Sequence, residues 1–154
     1  MSSEPRPSDY HDGLTGLPNR RLLDDRLRLA LHGARRRDAR VAFLLVALED
    51  FPRIDDALVR AAAARLEPCV RKADTLARFG PAQFAVVLND VAGRPECSAV
   101  AERLLAALPA GASLGISLFP DDAGDAEALI RNAEAARLGA RQGRGQRAYR
   151  FYAQ

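Results

Sequence analysis

Two hydrophobic periods run along this chain. Between residues 19 and 37, Leu22, Leu23, Leu27, Ala30 and Leu31 recur at helical spacing, and Asn19 stands where an N-cap is wanted. Residues 41–48, VAFLLVAL, form a continuous apolar run with turn signals on both sides, the pattern of a strand buried on both faces. Residues 55–71 are Ala-rich and predict a helix with Leu58, Ala62, Leu66 and Val70 on one stripe. Two short strands, 75–79 and 83–89, flank Gly80-Pro81 and read as a hairpin. A helix over 94–108 stops before Pro109, SLGISLF at 113–119 is a strand, 125–141 is a helix starting near Gly124 or Asp125, and 147–152 is a last strand.

The predicted order is a helix, then β-α-β-β-α-β, then a helix and a strand. This is an α+β fold with a ferredoxin-like core. That arrangement hosts many unrelated activities, so function has to come from a site.

Composition narrows the field mostly by exclusion. The chain has 154 residues, 48% of them hydrophobic, which suffices for one domain with a real core. A net charge of +3 is too small to argue for nucleic acid. The densest basic cluster, Arg35-Arg36-Arg37, reads as a solvated helix end, where cations suit the dipole. No stretch has the length of a membrane span. The polar start MSSEPRPSDYHDG does not read as a signal peptide; residues 1–11 are expected to be a loose leader and 12–154 the domain. Cys69 and Cys97 lack metal-ligand spacing, and His11 and His32 are too few for a His-based site. No metal or cofactor is expected, and a reduced, cytoplasmic protein is the simplest account.

Four segments, in order and at matching spacing, carry a resemblance. They are DGLTGLPNRR at 12–21, RKADTLARFGPAQFAVVL at 71–88, SLGISLFPDD at 113–122 and AEAARLGAR at 133–141. Together they resemble the GGDEF family, with coverage of about residues 12–152. The resemblance implies a fold of the nucleotidyl-cyclase type. It also implies a chemistry in which two GTP molecules, one on each of two subunits, become cyclic di-GMP. Divalent metal neutralises the triphosphate and activates the attacking hydroxyl there, and hard cations need carboxylate oxygens.

At the family's signature this chain has Gly80-Pro81-Ala82-Gln83-Phe84. Ala82 and Gln83 replace the two acids, and Pro81 replaces the second Gly with a residue of fixed φ and no donor. Gly80 and Phe84 remain, as folding of the hairpin requires. The family's other metal carboxylate, at the end of the first strand, is matched by Ala47; Glu49 keeps the second acidic position. Pro52 stands for a Lys, and Asp55 for a nucleotide-contacting Asn. The chain runs from Asp55-Asp56 directly into ALVRAAAARL, without the family's GHxxGD-like segment that supplies a guanine contact. Arg141 stands for the phosphate-binding Lys of the last helix. The resemblance thus implies a degenerate domain with no catalytic residues, although residual cyclase activity stays a remote alternative.

One binding feature survives. The family often carries an inhibitory RxxD site ending five residues before the signature, and Arg71-Lys72-Ala73-Asp74 occupies that place. An Arg fork can hold a phosphate or the guanine Hoogsteen edge, and an Asp can accept from guanine N1–H and N2–H. The string alone says little, since it recurs at Arg6–Asp9, Arg21–Asp24, Arg35–Asp38 and Arg53–Asp56. Its bland reading is an i,i+3 ion pair near a helix end. Arg103 is the candidate for a second gripping arginine and Arg94 a weaker one. Two functions remain open: a cyclic di-GMP receptor acting through Arg71 and Asp74, and a protein-docking module with no nucleotide ligand. A protein partner is expected and a homodimer is open.

Overall fold

The computed structural model describes residues 9–48, 51, 53–108, 112–141 and 148–152, with only the backbone of Arg141. The elements are α1 (Arg20–Arg37), β1 (Arg40–Ala47), α2 (Asp56–Leu66), a short 3-10 helix (Glu67–Cys69), β2 (Thr75–Gly80), β3 (Gln83–Val91), α3 (Arg94–Ala106), β4 (Ser113–Phe119), α4 (Ala126–Arg141) and β5 (Ala148–Phe151). The sheet order is β2-β3-β1-β4-β5. β1 lies antiparallel between β3 and β4, β2 is antiparallel to β3, and β5 runs parallel to β4. The first four strands and the helices between them are the ferredoxin-like arrangement.

Strand alternation assigns the two faces. Val41, Phe43 and Leu45 point to a core shared with Leu23, Leu27 and Leu31 of α1 and Leu129 and Ala133 of α4. Ala42, Leu44 and Val46 point to the opposite core, shared with Val59, Ala62 and Leu66 of α2 and Ala101 and Leu104 of α3. Both faces of the central strand are therefore covered, as its unbroken apolar run requires.

Local chemistry sets the element ends. The Asn19 carboxamide accepts from Leu22 N at 3.0 Å, Asp55 accepts from Leu58 N at 2.9 Å, and Asp125 accepts from Ala128 N at 2.8 Å, so Asp125 rather than Gly124 caps α4. The predicted helix over 55–71 is corrected at its end, while its stripe Leu58, Ala62, Leu66 and Val70 does pack against one core. It stops at Leu66, where Pro68 diverts the chain into the 3-10 turn, and its buried face is Val59, Ala62, Ala63 and Leu66, with Leu58 and Val70 only partly buried. Residues 1–8 of the expected leader lie outside the described residues, and the hydrogen bonds of the opening turn reach back to residue 9. Asn19 N donates to Tyr10 O at 2.8 Å, Asn19 Nδ2 donates to Asp9 O at 2.9 Å, and His11 bridges Pro18, so residues 9–11 belong to the folded opening turn. Residue 147, the expected start of the last strand, and Pro109 lie outside the described residues.

One close approach fixes the α4 layer. A Cβ on Gly115 in β4 would stand 2.1 Å from Ala133 O and 2.3 Å from Arg137 N, so α4 rests directly on the β4 backbone there. Beside that contact Arg137 is buried, and its guanidinium donates to both oxygens of Glu134, at 2.6 and 3.2 Å.

Candidate functional site

The hairpin end of the sheet brings the signature-matching positions together. Ala47, the last residue of β1, is the register partner of Gln83 on one side and Ser113 on the other. Ala47 is fully buried, on the face covered by α1 and α4. Gln83 folds back over the turn, so that a Cβ on Gly80 would meet its Oε1 at 2.8 Å. Phe84 points the other way and packs between Val46 and the α2–α3 layer, a purely structural place. Leu48 N donates to Ala82 O at 2.9 Å and ties the turn to the end of β1. Arg20, Phe79, Gln83, Ile130, Arg131 and Glu134 line a cleft of about 450 Å³ beside it, with the Arg20 guanidinium 4.0 Å above the Phe79 ring.

A clasp that sequence reasoning missed holds this end in place. Arg78 Nη1 reaches both Asp12 oxygens, at 3.2 and 3.3 Å, and its Nη2 donates to Pro81 O at 2.9 Å. Asp12 also accepts from Thr15 N at 2.9 Å and Thr15 Oγ1 at 2.8 Å. Burial pushes the Asp12 carboxyl upward, but the Thr15 bonds and the Arg78 charge outweigh it and hold it below the usual carboxylate value. The opening turn, closed by Gly16 at φ 77°, thus clamps the signature hairpin.

At the far end of the hairpin, Arg71 and Asp74 bond to each other. Nε meets Asp74 Oδ2 at 2.8 Å and Nη2 meets Oδ1 at 3.1 Å; Nη2 also donates to Asn89 O at 2.8 Å. Asp74 Oδ1 takes a further bond from Asn89 N at 3.0 Å, and its side chain is 1% exposed against 51% for Arg71. Asp74 therefore works first as a buried brace between the loop before β2 and the end of β3. The other described copies of the string are engaged differently. Arg21 lies 5.1 Å from the Tyr10 ring, Arg35 donates to Gly124 O, and Arg53 pairs with Asp55 at 3.3 Å. α3 offers Glu96 to Arg71, at 3.7 Å, while Arg103 donates to Cys69 O at 3.1 Å, seven residues or about 10 Å further along the helix. Arg94 lies 4.9 Å from the Phe151 ring.

The profile of the diguanylate cyclase GGDEF domain matches residues 9–147. The chain belongs to the GGDEF family. It is 35% identical over 161 residues to the bifunctional diguanylate cyclase/cyclic di-GMP phosphodiesterase MucR of Pseudomonas aeruginosa, covering 92% of this chain and 23% of MucR. It is 31% identical over 159 residues to diguanylate cyclase TpbB of the same organism, covering 90% of this chain and 37% of TpbB. The chain thus spans well under half the length of these relatives. The solved GGDEF domain of TpbB superposes with a TM-score of 0.80 at 28% identity, covering 92% of this chain and 94% of that one.

Within this GGDEF domain, the Ala47 side chain offers no ligand atom and Gln83 offers only a neutral amide oxygen, without the carboxylate charge on which protein magnesium sites rely. Among the described residues no group of three or more His, Cys, Asp or Glu side chains could hold a metal. Glu49, Asp50 and Pro52 lie outside the described residues, as does the Arg141 side chain. Asp55, at the position of the nucleotide-contacting Asn, serves as the α2 cap. Both cysteines are buried thiols: burial pushes Cys69 up, and burial with the nearby Glu96 charge pushes Cys97 up to about 11. No described helix is long and apolar enough to cross a membrane.

Proposed function

We propose that this GGDEF domain is catalytically silent and acts in cyclic di-GMP signalling as a binding module. The observation that carries the reading is the register pair Ala47–Gln83, which puts a methyl group and an amide where cyclase chemistry calls for two metal-binding carboxylates. Incubation with GTP and magnesium or manganese, followed by chromatography, should give no cyclic di-GMP above a blank; clear turnover overturns the proposal.

The ligand reading assigns cyclic di-GMP to Arg71. Its guanidinium is half-exposed and held in one orientation by Asp74 and Asn89 O, so little side-chain entropy remains to be lost on binding a phosphate or a guanine edge. Calorimetry should show binding in the micromolar range, about −8 kcal/mol. Arg71→Ala should remove about 1.5–3 kcal/mol, at least a tenfold loss, with Arg21→Ala as an unaffected control. No ligand heat at a protein concentration of order 100 μM, roughly tenfold or more above such a dissociation constant, removes this reading. A second reading, docking without nucleotide, is favoured by the Asp74 carboxylate, whose oxygens are both engaged inside the fold.

A further inference from the structure

The Arg71–Asp74 pair has few hydrogen-bonding groups left to offer, and the shortage decides which ligands it can tell apart. A guanidinium carries five N–H groups. The Nε hydrogen and one on Nη2 go to Asp74, at 2.8 and 3.1 Å, and the other on Nη2 goes to Asn89 O at 2.8 Å. The two hydrogens on Nη1 remain, with Glu96 Oε1 3.7 Å away. Reading O6 and N7 of a guanine takes two N–H groups side by side on different nitrogens. Nη1 by itself does not supply them, but it can donate to a phosphate oxygen.

The carboxylate is spent as well. Asp74 Oδ1 accepts from Arg71 Nη2 and from Asn89 N, and Oδ2 accepts from Arg71 Nε. The side chain is 1% exposed, so guanine N1–H and N2–H have no acceptor within reach. Asn89 keeps the pair closed. Its N–H holds Asp74, its C=O holds Arg71, and its Nδ2 donates to Ala73 O, which fastens the loop to β3 through three groups of one residue.

The surroundings also lack groups that read a base. Concavities of about 410 and 250 Å³ adjoin Asp74, and no aromatic ring lines either of them to stack a base. Arg26 and Lys72 line both, joined by Arg71 and Glu67 in the smaller and by Arg37, paired with Asp90, in the larger.

Resting on the assignment of cyclic di-GMP to Arg71, we propose that this site recognises a cyclic dinucleotide by its phosphodiester charge and does not select guanine over adenine. Phosphate oxygens meet Arg71 Nη1, Lys72 and Arg26, while Asn89 keeps Asp74 turned into the fold.

Calorimetry on the intact chain with cyclic di-GMP and with cyclic di-AMP tests it. The two dissociation constants should agree within about fivefold, because a formed pair of base-edge bonds discriminates by about that factor or more. Both should weaken together as salt rises, and both should rise at least about tenfold on Arg71→Ala. Glu96→Gln, which removes the charge beside Nη1 and keeps an acceptor for Ala92 N, should tighten both alike. The Asn89 amide should stay protected from hydrogen exchange when the protein is saturated with either ligand. A difference of about fivefold or more between the ligands, a gain on Glu96→Gln confined to one of them, or loss of Asn89 protection on binding overturns the proposal and leaves the cyclic di-GMP reading standing. No heat with either ligand overturns both.

Discussion

Replacing Gly115 with alanine tests how α4 is seated. The added Cβ would lie 2.1 Å from Ala133 O and 2.9 Å from Arg137 Cα, and both are backbone atoms that no rotamer change can clear. Restoring an ordinary contact requires α4 to retreat from β4 by about 1 Å, a gap that forfeits a quarter to a half of each van der Waals well it opens. The side chains that lose contact are Leu129, Ala133, Ala136 and Ala140, all buried. Overpacking of this kind costs about 1–3 kcal/mol and more where backbone is the obstacle, so about 3 kcal/mol is expected. For a domain of this size that lowers Tm by about 6–12 °C. Urea denaturation followed by far-UV circular dichroism measures it, with Gly124→Ala as control, because a Cβ there meets nothing within 4 Å. A Gly115→Ala variant that loses less than about 1 kcal/mol would refute the close approach of α4 to the sheet.

Three further outcomes follow from particular contacts. Asp12→Asn should cost about 1–3 kcal/mol at pH 7 by weakening the Arg78 clasp. The folded-state pKa of Asp12 lies below its unfolded value, so its contribution is complete above that unfolded value and fades as pH falls through the folded one; the gap between wild type and variant, read by urea melts, should close below about pH 4. Asp74→Ala should lower stability by about 2–3 kcal/mol, because it strands Asn89 N and the Arg71 fork; an unchanged melting curve would show that the brace is not formed. Cys97, with its thiol pushed up to about 11, should resist alkylation at pH 8 until the domain unfolds, and rapid labelling in the native state would contradict its burial.

What was legible in the sequence was whatever local pattern dictates. The unbroken run ending at Ala47, the hairpin around Gly80-Pro81 and the Asn19-capped helix all appear where expected, because periodicity and turn chemistry act over short spans. The second helix packs on the expected stripe, but four successive alanines, 61–64, look alike from every side, and only packing shows that Ala63 is buried beside Ala62. The basic run at the end of α1 reads as solvated, yet Arg35 donates to Gly124 O and Arg37 pairs with Asp90, so two of the three strap that helix end to the loop before α4 and to the end of β3. The Asp12–Arg78 clasp spans 66 positions, and the burial of Arg137 depends on which strand α4 lands on. No local rule reports such pairings. The RxxD string was found by its place, but whether its Asp faces ligand or protein is decided by Asn89, fifteen residues away.

The neutral signature positions also make sense as folding chemistry. Ala47 is fully buried and sits beside Gln83 in register. Two carboxylates at such a pair would repel each other and lose hydration, and one would be driven to bind a proton unless a cation stood between them. In a domain that takes no metal there, acids would only destabilise the end of the sheet, whereas a methyl group and an amide cost nothing comparable. The contacts that shape the hairpin do not need the acids: Phe84 fills the α2–α3 core, Leu48 N bonds to Ala82 O, and Arg78 joins Pro81 O to Asp12. The contacts that shape the hairpin are therefore independent of acids at positions 47 and 83, and the frame that carries the Arg71 pair is intact without them.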